Sequence, residues 1–166
     1  NSIEGYVFIF HEFVHCFQWE NGEREGRATL EIERKNRDEK NYMWEINHSF
    51  PYEDSFIINK SIELESFLEK ESITGVVCFH TQMRDYLNKI DYEYMIWQEW
   101  KEGFARYIEN LIRNKIGIKS NSTKLQPKLN RTSFYEIGSK YIHLLIKDNP
   151  NLKNDIKGLY YKMLNP

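Results

Sequence analysis

Two histidines four residues apart, His11 and His15, stand in the run His-Glu-Phe-Val-His and restrict this chain more than any other feature. Positions i and i+4 share a face only in an α-helix, so the pair reads as a helix that aims two imidazoles at one place. Imidazoles so placed can grip a single metal ion. Glu12 projects beside them, where its carboxylate can take a proton from a water polarised by that metal. Tyr6, Val7, Ile9, Phe10, Phe13, Val14 and Phe17 make the segment apolar on several sides, which predicts a buried helix. It covers about residues 4–19 and stops near the turn dipeptide Asn21-Gly22.

The remainder reads as mainly helical, and 166 residues are about one domain. A charged helical segment runs from about Glu23 to Trp44, with Glu33 to Lys40 too polar to be buried. Asn47 to Ser55, with Pro51, is a loop, and Ser61 to Glu71 a short amphipathic helix. Val76-Val77-Cys78-Phe79 fits a strand or a helix. The clearest long helix spans about Tyr92 to Lys115 and ends near Gly117. A polar loop leads to Asn130. Thr132 or Ser133 then caps a helix from about Phe134 to Lys147, stopped by Asp148-Asn149-Pro150, and a last helix covers about Leu152 to Leu164. Trp44, Trp97 and Trp100 are core candidates. No repeat or low-complexity tract is visible.

A catalytic zinc keeps three protein ligands and an open position, so two histidines need a partner. Glu102, in Glu102-Gly103-Phe104-Ala105-Arg106-Tyr107-Ile108-Glu109, is the strongest candidate. Gly103 and Ala105 would let its helix approach the His11 helix closely, and Arg106, at i+4, can hold the Glu102 carboxylate. Glu109 lies two turns on and fits either a ligand-orienting role or a solvated salt bridge. A rival, Glu25 in Glu25-Gly26-Arg27-Ala28, follows His15 too soon to be brought back easily. His80 and His143 lie in apolar segments and read as packing residues.

Together, HEFVH at 11–15, EGFARYIE at 102–109 and Tyr135-Glu136-Ile137-Gly138 resemble, in the same order, three motifs of the gluzincin metallopeptidases, especially the zinc aminopeptidases. The resemblance implies a helical zincin-like catalytic core with Zn2+ on His11, His15 and Glu102. It implies Glu12 as general base, Tyr135 as oxyanion donor and a peptide or protein substrate. It covers about 25 residues in all. The 86 residues between His15 and Glu102 imply an inserted helical region at about 20–90. The β-sheet that precedes the first motif in that family is largely missing here, which implies an upstream domain in a longer chain. The motif that binds a substrate's α-amine is missing too, so aminopeptidase specificity is not carried over.

Other classes are narrowed by composition. A net charge of −2 gives no global attraction to nucleic acid or an anionic membrane. The basic stretch Arg113, Lys115, Lys119, Lys124, Lys128 and Arg131 reads as a solvated loop and helix end. No run of about 20 apolar residues is present to span a bilayer. The two cysteines, Cys16 and Cys78, form no C-x-x-C, and Cys16 is expected to be a packed thiol. Two alternatives stay open. One is a di-iron carboxylate bundle on Glu12-x-x-His15 and Glu45-x-x-His48 with Glu99 or Glu102. The other is a non-catalytic helical module with a vestigial site.

Overall fold

In the computed structural model, which describes residues 2–166, helices follow one another with no strand among the described residues. They are α1 (Ile3–Gln18), α2 (Arg24–Thr29), α3 (Glu31–Asp38), α4 (Trp44–Asn47), α5 (Ser55–Glu69), α6 (Ile73–Tyr86), α7 (Lys89–Lys115), α8 (Arg131–Asp148) and α9 (Ile156–Leu164). The fold is mainly α, with 77% helix. Val76 to Phe79 is helical, within α6. A wide turn at Trp19–Glu23 joins α1 to α2, and Gly22 takes φ +152° there, a conformation that side chains rarely allow.

The centre is the pair α7 and α8. Asn88 caps α7 by accepting from the Asp91 amide, and Arg113 and Lys115 favour its carbonyl end. The α8 cap is Asn130, upstream of the expected Thr132 or Ser133. Ser133 instead sits at the third helical position and completes a capping box. Where the two helices cross, a Cβ on Gly138 would lie 1.9 Å from the Glu99 carbonyl oxygen, and one on Gly103 would lie 2.7 Å from the Gly138 backbone. Gly103 therefore serves the approach of α7 to α8, not the expected approach to α1.

Around this crossing Trp44, Trp97, Trp100, Tyr94, Tyr141 and Phe134 are fully buried. Trp97 and Trp100 stand 5.3 Å apart, and Trp100 donates from its indole nitrogen to the Ile156 carbonyl of α9. Leu30, Ile32, Ile57, Leu64, Val76 and Met83, from the expected insertion, join the same core. That region thus shares one hydrophobic interior with the rest. Its polar middle is also not all solvated. Glu33 and Asn36 are buried, because Glu33 accepts from the Trp44 indole and from Arg27 and Arg37.

The sequence is misleading at α1. Expected to be buried, it buries only Val7 and Gln18, because its chief neighbour, α7, covers one side. Ile3, Tyr6, Ile9, Phe10, Phe13 and Phe17 project outward, with Phe13 62% exposed. Cys16 is exposed as well, not packed. These side chains give the outer side of α1 an apolar character.

These environments separate two substitutions. Gly138→Ala is expected to lower unfolding stability by about 3 kcal/mol or more, since the added methyl must force the α7 and α8 backbones apart. Phe13→Asp, on the bare face, is expected to change it by less than about 0.5 kcal/mol. Urea titrations of both variants check this, and the reverse order would contradict the close α7–α8 crossing.

Candidate metal centre

Three side chains from two helices converge. His11 and His15, one turn apart on α1, have ring centroids 5.0 Å apart at 75°, and Glu102 of α7 reaches toward them. One donor atom from each lies within 4.8 Å of the other two. His15 Nε2 is 3.7 Å from Glu102 Oε2. Ligands about 2.1 Å from a tetrahedral ion stand about 3.4 Å apart, so small rotamer adjustments close the set. Two imidazoles and a carboxylate are also a donor set that zinc accepts.

The other ring nitrogens decide which lone pairs are free. Gln18 directs its amide nitrogen at the Lys101 carbonyl, 2.9 Å away, so its oxygen must accept from His15 Nδ1 at 2.9 Å. The His15 proton is therefore on Nδ1, and Nε2 keeps its lone pair for the cluster. His11 Nδ1 lies 3.1 Å from Glu109 Oε2, and a carboxylate can only accept, so His11 is oriented the same way. Burial pushes the Glu109 carboxyl up. Hydrogen bonds from His11, Arg113 and Asn121, with the Arg113 charge, outweigh that and hold it down to about 2. Arg113 also pairs with Glu4 of α1 at 2.6 Å. Glu109 thus both orients the His11 imidazole and anchors α1, and Arg113 is not the solvated residue that its basic stretch predicts.

Glu12 is exposed and lines an open groove of about 450 Å³ with His15, Cys16, Trp19, Glu20, Glu23 and Lys101. No hydrogen-bond partner holds its carboxylate among the described residues, which leaves it available to a water. Tyr135 lies on the first turns of α8. Burial raises its phenol and the nearby Glu102 charge raises it further, while Arg131 and Arg106 oppose them, leaving it up at about 12. At neutral pH it keeps its proton and can donate.

Other candidates are engaged elsewhere. Glu25 is exposed and pairs with Lys157 of the last helix, so the rival motif does not reach the cluster. Glu45 binds Lys101 at 2.7 Å and Arg27 at 2.9 Å. His48 binds Asp91 at 2.7 Å. Glu99 is wholly buried 2.7 Å from His80. Among the described residues, Glu45, His48 and Glu99 do not join the group of His11, His15 and Glu102. His80 is a packing residue as expected, bonded to the Val76 carbonyl and stacked on Tyr141, whereas His143 is exposed. Arg106 does not hold Glu102; it turns to Glu136 and to the Tyr135 ring. Gln18 belongs to none of the sequence motifs, although its place three residues after His15, on the same face, is a usable signal.

Compared with known proteins, the chain matches no family model, no curated protein and no solved structure.

Two measurements probe the orienting groups. Gln18→Ala is expected to weaken zinc binding by about 10- to 100-fold, read by competition with a chelator; unchanged affinity would disprove the orienting role. Because the Glu109 carboxyl is depressed on folding, its stabilisation is present above about pH 4.5 and lost as pH falls toward 2, by about 3 kcal/mol in all. Glu109→Gln is expected to flatten the acid limb of stability against pH in that window. An acid limb of unchanged slope would argue against it.

Proposed function

We propose that this chain is a zinc-dependent metallopeptidase of the gluzincin type that hydrolyses amide bonds of a peptide or protein substrate. The observation that carries this reading is the convergence of His11, His15 and Glu102 with both Nδ1 atoms already occupied. Bound there, Zn2+ supplies a Lewis acid for a carbonyl and a water. The other steps belong to the side chains. Glu12 accepts the proton of the attacking water on a carboxylate oxygen and returns it to the leaving amine nitrogen. Tyr135 accepts from Arg131 through its oxygen, which leaves its own proton to donate to the developing oxyanion. A donor so placed is worth about 3 kcal/mol.

The apolar outer face of α1 supports a companion proposal, that a further domain in a longer chain lies over it. Binding of a hydrophobic dye is then expected to fall in the longer chain, and an undiminished signal would count against a cover.

Elemental analysis of protein purified without added metal or a histidine tag tests the reading. It is expected to show about one zinc per chain, lost in Glu102→Ala. Glu12→Gln is expected to keep the zinc and lose at least a hundredfold in peptide hydrolysis, within the usual ~100- to 10,000-fold range for such a base. Two irons per chain would point instead to a carboxylate bundle. No metal, even after zinc addition, would leave a helical interaction module.

A further inference from the structure

Tyr135 is flanked by two cations. The guanidinium groups of Arg106 and Arg131 lie 5.6 and 5.4 Å from its ring centroid, and Arg131 also donates to its hydroxyl. Arg106 stands one turn beyond Glu102 on α7, and the Glu102 charge reaches the Tyr135 phenol that Arg106 faces. Arg131 opens α8 one turn before Tyr135 and is half-buried.

Neither guanidinium is fully used. The carboxylate nearest Arg106 is Glu136, at 3.6 Å, beyond hydrogen-bonding length. Glu136 is already occupied by the Ser122 hydroxyl, the Thr123 amide at 3.2 Å and Lys140 at 3.3 Å. Arg106 Nε is buried without a partner. Arg131 has no carboxylate within 4 Å among the described residues; its charge is felt by three phenols, Tyr52, Tyr94 and Tyr135. An aromatic wall holds a planar guanidinium without neutralising it and leaves its edge N–H groups free. Such a fork matches a carboxylate, which accepts two N–H bonds at once.

We propose that Arg131, assisted by Arg106, binds a carboxylate of the substrate beside the metal cluster, so that the preferred substrates are peptides bearing an anionic group near the scissile bond. This rests on the metallopeptidase reading. The carboxylate is either the C-terminal group of a short peptide or the side chain of Asp or Glu. Both present the same planar anion.

The test uses the zinc-loaded chain and three dipeptide hydroxamates, which bind zinc without being cleaved, titrated by calorimetry. One is neutral with an amidated C-terminus, one has a free C-terminal carboxylate, and one is amidated with an Asp side chain. At least one acid is expected to bind about tenfold tighter than the neutral compound, and which one does so identifies the source. That advantage is expected to vanish in Arg131→Ala and to return only partly in Arg131→Lys, which restores the charge without the fork. Reading the ratio of acid to neutral affinity corrects for any damage to the metal centre. Equal binding of all three would overturn the anion site while leaving the zinc site standing. An advantage that survives in both Arg131→Ala and Arg106→Ala would overturn these residues as its source. If none of the three binds, the metallopeptidase reading falls, and this proposal falls with it.

Discussion

The contact between the backbones of α7 and α8 at Gly103 and Gly138 sets where everything else in the site can stand. With no side chain between them, the helices bring Arg106 on one against Tyr135 and Glu136 on the other. A larger residue at either glycine would force the two backbones apart and carry Tyr135 away from Arg106. The glycines of the second and third motifs thus have a mechanical meaning. Each motif carries a chemical residue close to the glycine that locates it.

The first motif is attached differently. Helix α1 contributes little to the hydrophobic interior and is joined to α7 mainly by polar links: His11 to Glu109, Glu4 to Arg113, and Gln18 to the Lys101 carbonyl. Bonds of this kind are worth much less than buried apolar area unless they are shielded from water. Gln18, fully buried, is the best shielded of them, and Glu109, 6% exposed, is held by His11, Arg113 and Asn121. The same contacts that orient the imidazoles also dock the helix that carries them.

Motif and periodicity make the candidate metal-ligating residues and the helical class legible in the sequence, because ligand spacing and apolar repeats are both local. The cap at Asn130, the burial of Glu33 and the exposure of α1 are not legible there, since each depends on what a distant segment does. Glu33 is buried because Trp44, Arg27 and Arg37 satisfy it. The apolar composition of α1 is plain in the sequence, but composition does not say whether a partner for that face lies in the same chain. Gln18, Arg113 and Arg131 are ordinary polar residues until their neighbours across the fold are known.

Gly22, at φ +152°, is the joint through which α1 connects to the rest of the chain. A helix with two buried residues and a handful of polar ties is expected to open at a smaller free energy than global unfolding. An ion gripped by His11 and His15 on one side and Glu102 on the other would close that opening like a latch. Metal loading would then be written into the amide exchange and protease sensitivity of α1 and the turn that follows it, while the α7–α8 core stayed silent.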